Sequence, residues 1–287
     1  MTVSLLWRQM RPGQWPKNLL VFAAFLFHIP HDTLSMLLFE SAALILFFAV
    51  SGCVYIGNDY FDLASDRANP EKQNRPMASG ALKPRTALTF AGVVALVAFA
   101  VAWKVTPYLT LLLILYVLIN IAYTLRLKHI VILDIFAIAA GFVIRAVAGA
   151  VAIGVLLTPW FLLCALLLAL FLATGKRKSE WERAKMDGEW HRAVLHEYSP
   201  ALLDQFSVIT AALVIVSYAM FTFTAHRNEA LMASIPLVIY GVFRYLQLVQ
   251  VHGQGGHPEH TLWQDRHILV TVLLFGVTVI TALCWHR

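Results

Sequence analysis

Charge is scarce in this chain of 287 residues, because Asp, Glu, Lys and Arg together make up only 13% of it. Soluble domains usually carry about 25%. Apolar residues account for 60% of the sequence, and the mean hydropathy is +0.71. These values exclude a soluble globular protein and a disordered one. The apolar runs are continuous and lack the alternation of a transmembrane barrel, so they predict an all-α, polytopic membrane protein.

Cysteine is equally scarce. Cys53, Cys164 and Cys284 lie in apolar runs and match neither a metal-binding spacing nor a disulfide framework. Lys and Arg outnumber Asp and Glu by 22 to 16, which gives a formal net charge of +6. In a membrane protein this excess indicates basic cytoplasmic loops and anionic ligands, and no nucleic-acid partner is expected.

Apolar runs of about 20 residues predict about nine membrane spans. They cover residues 18–37, 40–57, 86–104, 107–124, 131–152, 157–175, 204–225, 230–250 and 266–284. The basic head of the chain precedes an apolar run without a small-residue cleavage pattern, so we expect the first span to be an anchor. Residues 1–287 then form one transmembrane domain around a central cavity.

Positive charges concentrate on one side of this predicted bundle. The N-terminal head and the segments 58–85, 125–130 and 176–203 hold most of them. By the positive-inside rule this side is cytoplasmic. The N-terminal head belongs to it, so we expect the N-terminus in the cytoplasm. We expect the protein to lie in the inner (plasma) membrane. The long inward loops 58–85, 176–203 and 251–265 are rich in Asp, Lys, Arg and His. We expect them to cap an active site that opens to the cytoplasm.

The densest polar motif follows the second predicted span and contains Asn58, Asp59, Asp62 and Asp66. Helical spacing places Asn58, Asp62 and Asp66 on one face. Three carboxylates this close repel one another unless a cation lies between them. Since Mg²⁺ is usually held by one or two carboxylates and substrate phosphates, the motif predicts a magnesium site at the three aspartates. A solvated acidic helix end is the alternative.

Cations follow the aspartates. Arg67, Lys72 and Arg75 lie in a turn-rich segment that contains two prolines and ends at Gly80. Their side chains are suited to contact phosphate oxygens, although ordinary positive-inside charge is the alternative.

Two ionisable residues, Asp134 and Arg145, lie in or near the fifth predicted span. A charged residue in the bilayer costs roughly 2.5–3.5 kcal/mol on insertion scales, so each should face a cavity or a partner. They are about three helical turns apart, on one face but too distant to pair with each other. We expect both to face the central cavity, with Arg145 reaching toward a phosphate. Structural pairing with another helix is the alternative.

The pattern Asn-Asp-x-x-Asp-x-x-x-Asp at 58–66, with Arg-Pro-x-x-x-Gly at 75–80, resembles the first aspartate-rich motif of the UbiA superfamily of intramembrane prenyltransferases. The resemblance extends over nearly the whole chain, including the spans and the long loops. It implies a diphosphate substrate bound through Mg²⁺ on two such motifs. Tyr123 and Lys128 resemble the family's Tyr-x-x-x-x-Lys segment.

The second aspartate-rich motif of the family is missing after the sixth predicted span, where Gly175-Lys176-Arg177-Lys178-Ser179-Glu180 stands instead. A basic cluster exchanges a second metal site for direct phosphate binding. This departure is similar to the polyprenyl-phosphate phosphoribosyltransferase branch of the superfamily. The stretches 11–18 and 141–149, and His257-Pro258-Glu259 with Asp265-Arg266, resemble that branch as well.

The resemblance implies transfer of a 5-phosphoribosyl group from phosphoribosyl diphosphate (PRPP) to a polyprenyl phosphate, with Mg²⁺ on Asp59, Asp62 and Asp66 as the catalytic centre. The candidate substrate-binding residues are Lys17, Asn58, Arg67, Arg75, Tyr123, Lys128, Asp134, Arg145, Lys176 and Arg177. The alternatives are UbiA-type prenyl transfer to an aromatic or other small acceptor, and a transporter or lipid-binding scaffold. The apolar outer surface allows a homo-oligomer in the membrane.

Overall fold

The computed structural model describes residues 2–28, 34–70, 72–188, 190, 192–224, 229–256, 261 and 264–285. Within these ranges the regular structure is entirely helical. The α-helices are α1 (Thr2–Gln9), α2 (Ala23–His28), α3 (Leu34–Phe61), α4 (Leu63–Ala68), α5 (Pro84–Val105), α6 (Pro107–Leu125), α7 (Leu133–Ala152), α8 (Pro159–Asp187), α9 (Pro200–Thr224), α10 (Ile235–His252) and α11 (Arg266–Trp285). The 3₁₀-helices are Pro12–Phe22, Leu127–His129, Ala193–Glu197 and Glu229–Ser234.

In the described part of the chain, 8 helices are long and apolar enough to cross a membrane. They are α3, α5, α6, α7, α8, α9, the continuous segment Glu229–His252, and Arg266–Cys284. Proline begins α5, α6, α8 and α9, where its missing N–H has no helical partner to lose. The predicted all-α, polytopic membrane fold is therefore confirmed, and the last eight predicted spans match these helices with shifted ends.

The first predicted span, 18–37, is not one helix. It is divided between the 3₁₀-helix Pro12–Phe22, the short α2 and the start of α3 at Leu34, while residues 29–33 lie outside the described ranges. Pro16 lies inside the 3₁₀-helix and has no N–H to donate, so an α-helix would be interrupted there. A 3₁₀-helix rises about 2.0 Å per residue and an α-helix about 1.5 Å. The two segments together therefore extend roughly 31 Å, close to the thickness of a hydrocarbon core.

Contacts at its two ends indicate that this segment crosses the bundle. Just before it, Gln9 Nε2 donates to Asp59 Oδ2 (2.5 Å) at the end of α3. At its other end, the ring of Phe27 packs against Phe161 near the start of α8 and Phe221 near the end of α9. The contacts therefore place the two ends of this segment, which we call the first crossing, at opposite ends of the bundle. The count of nine spans stays a prediction beside the 8 long apolar helices of the described ranges.

Polar segments gather at one end of the bundle, which we call the polar end. It contains the ends of α3, α6, α8 and α10 and the starts of α5, α7, α9 and α11. Helix α8 has 29 residues, and its length of roughly 44 Å exceeds the thickness of the hydrocarbon core. It continues to Asp187 and ends where Gly188 adopts a left-handed conformation (φ 70°). The predicted loop 176–203 is thus helical over its first part, because its charged residues extend a membrane helix beyond the bilayer.

Gly149 allows the first crossing to lie close against α7. A Cβ atom at this position would overlap the carbonyl oxygen of Val21 and lie 2.9 Å from Glu40 Oε1. Val21 belongs to the 3₁₀-helix and is fully buried. Only a residue without a side chain fits between these two backbones.

We expect Gly149→Ala to destabilise the protein. Glycine to alanine in a helix interior normally stabilises by roughly 0.5–1 kcal/mol, whereas overpacking costs about 1–3 kcal/mol. The control is Gly92→Ala in α5, where a Cβ atom meets nothing within 4 Å. Thermal unfolding in detergent should give a lower Tm for the first variant and an equal or higher Tm for the second. An unchanged Tm for Gly149→Ala would contradict the close packing.

Candidate active site

The three predicted aspartates lie at the polar end, where α3 passes into α4. Helix α3 ends at Phe61, yet the amides of Asp62 and Asp66 still donate to the carbonyls of Asn58 and Asp62 (2.9 and 2.8 Å). The helical spacing therefore persists through the break. The residues predicted to share one face nevertheless meet different partners: Asp66 is buried beside Asp59, whereas Asn58 and Asp62 face the end of α6 and the segment that follows it.

Asp59 and Asp66 are buried (3% and 2% exposed) and share one cation. Arg75 Nη1 lies 3.1 Å from Asp59 Oδ1 and 2.5 Å from Asp66 Oδ2. Arg11 and Gln9 also donate to Asp59. A cation thus lies between the two carboxylates, which relieves the repulsion that their proximity would otherwise cause.

Lys72 lies beside the same pair, with its Nζ 3.9 Å from Asp66 Oδ1. Burial lowers the pKa of Lys72 below its usual value, and Arg192, Arg75 and Arg11 act in the same direction, against the raising effect of Asp66. Several cations therefore converge on this part of the polar end. Such an arrangement favours the binding of an anion.

Asp62 has a different partner from the other two aspartates. Its side chain is partly exposed, and Lys128 Nζ donates to its Oδ1 (2.6 Å). Asn58 Oδ1 accepts a hydrogen bond from Thr124 Oγ1 (2.7 Å) near the end of α6. The end of α6 therefore holds Asn58 through Thr124, and the connection to α7 holds Asp62 through Lys128.

A second polar cluster surrounds Tyr123 on α6. Arg192 Nη1 donates to the Tyr123 hydroxyl (3.0 Å), and its Nε lies 3.7 Å from Glu180 Oε2. The same oxygen of Glu180 pairs with Arg177. Burial lowers the pKa of Arg192, but Glu180 and Tyr123 outweigh burial and raise it above its usual value. Two guanidinium groups are thus held around one carboxylate.

Asp134 and Tyr198 fix the position of Arg177. Arg177 is 1% exposed, and its Nε lies 2.8 Å from Asp134 Oδ2. The Tyr198 hydroxyl donates to Asp134 Oδ1 (2.6 Å) and accepts from the Ile132 amide (2.8 Å). Ile132 has φ 72°, a conformation that β-branched residues rarely adopt. Burial and the hydrogen bond to Asp134 raise the pKa of Tyr198, so its hydroxyl stays protonated.

An apolar cavity of about 570 Å³ adjoins the polar end. Its walls come from the 3₁₀-helix Pro12–Phe22, α2 and α7 to α11. Among the described residues that line it, Lys17 and Lys176 are the charged ones. Lys176 interacts electrostatically with Glu180, Arg192 and Tyr123, so the charged end of the cavity meets the second polar cluster. Apolar walls with a few polar groups at one end are typical of a ligand site.

Arg145 is buried within the bundle and is not among the described residues that line the cavity. It donates to Asn18 Oδ1 (2.6 Å), the Gly141 carbonyl (2.7 Å) and the Tyr116 hydroxyl (2.8 Å). Each guanidinium nitrogen therefore has a protein acceptor. Arg145 connects α6, α7 and the first crossing, as the structural alternative anticipated, instead of reaching toward a phosphate.

Arg67 also has a local partner. It is exposed, and its Nε donates to the Ala78 carbonyl (3.2 Å), so it braces the turn-rich segment before α5. Sequence reasoning missed several residues that complete the two clusters, namely Gln9, Arg11, Thr124, Glu180, Arg192 and Tyr198. Arg11 and Glu180 stood in stretches that resemble the phosphoribosyltransferase branch, whereas Gln9 and Tyr198 carried no signal.

The acidic motif fits one mode of divalent-cation binding. In the described ranges there is no group of three or more His, Cys, Asp or Glu side chains that could enclose a metal ion. Asp59 and Asp66 nevertheless converge on one cationic nitrogen, while Asp62 turns to Lys128. Two carboxylates completed by water and substrate phosphates are how Mg²⁺ is commonly held. The donor set therefore suits Mg²⁺ that arrives with a phosphorylated substrate.

We expect Tyr198→Phe to lower stability by about 1–3 kcal/mol, because the Ile132 amide and Asp134 each lose a buried hydrogen-bond partner. This corresponds to a Tm lower by roughly 2–4 °C per kcal/mol. The control is Tyr240→Phe, whose hydroxyl contacts His267 at an exposed position. Equal Tm values for the two variants would contradict a stabilising role for the two hydrogen bonds of the Tyr198 hydroxyl.

Most of this chain is similar to one family of proteins. Residues 18–256 match the family model for the UbiA prenyltransferase family. A decaprenyl-phosphate phosphoribosyltransferase from Mycolicibacterium smegmatis is 33% identical to this chain, and the alignment covers 96% of the chain and 92% of the relative. The protein of the same name from Mycobacterium tuberculosis is 31% identical, with 95% and 92% covered.

Solved structures agree on the fold. A UbiA homolog from Archaeoglobus fulgidus, bound to GPP and Mg²⁺, has a TM-score of 0.74 at 20% identity, with 96% of this chain and 99% of that chain covered. A UbiA homolog from Aeropyrum pernix has a TM-score of 0.65 at 18% identity, with 96% and 98% covered. With the family match extending over most of the sequence and relatives above 30% identity along nearly its full length, this chain belongs to the UbiA prenyltransferase family.

Proposed function

We propose that this protein transfers a 5-phosphoribosyl group from PRPP to a polyprenyl phosphate and releases diphosphate. Relatives that bear the name decaprenyl-phosphate phosphoribosyltransferase, at 30–33% identity over nearly the whole chain, support the reaction class. The observation that carries the proposal is the basic second cluster at the polar end, where Lys176, Arg177 and Arg192 surround Tyr123 and Glu180.

The charge of the donor matches this arrangement. PRPP carries a 5-phosphate in addition to its diphosphate, so it presents two separate anionic groups. The aspartate cluster with Mg²⁺ suits the diphosphate, and guanidinium groups bind phosphate oxygens in a bidentate manner. Arg177 and Arg192, which share one carboxylate oxygen of Glu180, would therefore take the 5-phosphate. A prenyl diphosphate would leave this second cluster without a ligand.

The acceptor matches the cavity. An apolar space of about 570 Å³ suits part of an isoprenoid chain, and Lys17 and Lys176 at its charged end suit the lipid phosphate. Lysine binds phosphate as a point charge. This arrangement would bring the lipid phosphate next to the second cluster, where the donor is held.

In the proposed reaction, an oxygen of the lipid phosphate attacks the anomeric carbon of the donor while the bond from that carbon to diphosphate breaks. The transition state resembles an oxocarbenium ion, and negative charge builds on the leaving diphosphate. Arg11, Arg75 and Lys128 lie where they could neutralise that charge. A general base is not needed, because the attacking phosphate oxygen is already ionised.

Mg²⁺ would be held by Asp59 and Asp66, with Asp62 acting directly or through water, and when bound it would neutralise the leaving diphosphate. Asn58, whose Oδ1 is held by Thr124, would orient this acidic motif. We infer from the positive-inside rule that the polar end and the N-terminus face the cytoplasm at the inner (plasma) membrane. The segments between α4 and α5, between α8 and α9 and before α11 would then cap the site.

The first test uses purified protein in detergent with labelled PRPP, a short polyprenyl phosphate and Mg²⁺. We expect label in the organic phase and its loss when Mg²⁺ is chelated. Transfer from a prenyl diphosphate to an aromatic acceptor, with none from PRPP, would replace the proposal with UbiA-type prenyl transfer. A transporter or scaffold would release no diphosphate with either substrate pair.

We expect Asp62→Asn and Asp66→Asn to reduce transfer by about 100-fold or more, since loss of even indirect partners of a metal typically reduces activity or affinity 10–100-fold. The matched control is Asp187→Asn, which changes an exposed aspartate at the end of α8. The rate should be measured over a range of Mg²⁺ concentrations together with the Tm of each variant. Full activity in either variant would reject the metal assignment.

A further inference from the structure

The apolar cavity ends at a partition of three aromatic rings. Phe27, Phe161 and Phe221 pack edge to face, with ring centroids 5.8 Å apart for Phe27 and Phe161, 5.0 Å for Phe27 and Phe221, and 5.8 Å for Phe161 and Phe221. All three line the cavity that contains Lys17 and Lys176. All three also line a second pocket of about 440 Å³. The same rings therefore form a wall of both spaces.

The second pocket lies at the end of the bundle opposite the polar end. Its remaining walls come from α2, the start of α3 and the connection between α7 and α8. Thr158 is the hydroxyl residue among the described lining, and its Oγ1 accepts a hydrogen bond from the Phe161 amide as the cap of α8. The pocket thus offers hydrocarbon surface and suits a hydrocarbon occupant.

From this continuity we propose that Phe27, Phe161 and Phe221 form the floor of the lipid site and set how much of the isoprenoid chain the protein encloses. The second pocket is the space that a longer chain enters when the floor opens. The occupant is the tail of the acceptor lipid, because both spaces are apolar and share the three rings, and the first space also holds Lys17 and Lys176. This inference rests on the proposed function for the identity of the lipid.

Side-chain chemistry makes the floor a determinant of chain length. The three rings pack against one another, and Phe161 and Phe221 are 9% and 3% exposed. An enclosed chain must therefore stop at the rings or leave the bundle sideways. Removal of one ring joins two spaces of comparable size, and each additional methylene group that enters the second space gains the free energy of apolar burial.

The test is the binding of farnesyl phosphate and decaprenyl phosphate to the purified protein in detergent, measured by native mass spectrometry without PRPP. In Phe161→Ala we expect the affinity for decaprenyl phosphate relative to farnesyl phosphate to rise at least about tenfold, the change that a few buried methylene groups produce. Phe221→Leu provides a second, milder opening of the floor if the first variant does not fold. Adding Leu157→Trp, which fills the second pocket, should cancel the gain.

The matched control is Phe275→Ala, which removes a ring that lines the first cavity and not the second. It should leave the ratio of the two affinities unchanged. An unchanged ratio in folded Phe161→Ala and Phe221→Leu, or an equal rise in Phe275→Ala, would overturn the floor. The readout is binding, so it separates this inference from the proposed function. If the wild-type protein shows no phosphoribosyl transfer but Phe161→Ala still changes the ratio of the two affinities, the proposed function is rejected and the role of the three rings is supported.

Discussion

The polar end depends on the pairing of buried charges. Asp59 and Asp66 lie almost out of contact with solvent, and Arg177 and Asp134 are more deeply buried still. An isolated charge in such surroundings is strongly unfavourable, so each must meet a partner of opposite sign or shift its protonation. The partners come from other segments of the chain, including the head of the protein and the turn-rich segment before α5. Charge pairing therefore assembles the site as a consequence of folding.

This constraint also gives the site its bias toward anions. The two clusters hold more cations than carboxylates. The five carboxylates are Asp59, Asp62, Asp66, Asp134 and Glu180, and the seven cations are Arg11, Lys72, Arg75, Lys128, Lys176, Arg177 and Arg192. An incoming phosphate or a divalent cation would rearrange pairs that already exist. Burial of an ion pair costs desolvation free energy. The pair therefore stabilises the protein only when further hydrogen bonds satisfy its remaining polar atoms. Tyr198, which donates to Asp134, and Gln9, which donates to Asp59, provide two of those bonds.

The sequence predicted the membrane helices well because length, apolar composition and proline at the first turn are local properties. It also indicated that Asn58 to Asp66 lie together at one end of the bundle, because they are close in the chain, but it did not indicate that Asp66 pairs beside Asp59 while Asp62 meets Lys128. It could not predict the rise per residue of the first crossing, since hydropathy does not distinguish a 3₁₀-helix from an α-helix. It placed the charged part of α8 in a loop, because a helix that projects beyond the membrane has a loop-like composition. The partners of Arg145 and Asp134 lie on other elements, and their pairing depends on tertiary packing.

Helix α8 extends without interruption from one end of the cavity to the other. It carries Phe161 at the aromatic partition and Lys176 at the charged end, and it continues to Asp187 without a break. At about 1.5 Å per residue, the helix sets the separation of these two positions at roughly 22 Å along its axis. Each residue inserted into or removed from this part of α8 would change the spacing by about 1.5 Å. The distance between Lys176 and the aromatic partition therefore depends on the number of helical residues between Lys176 and Phe161, and not on the loops that surround the site.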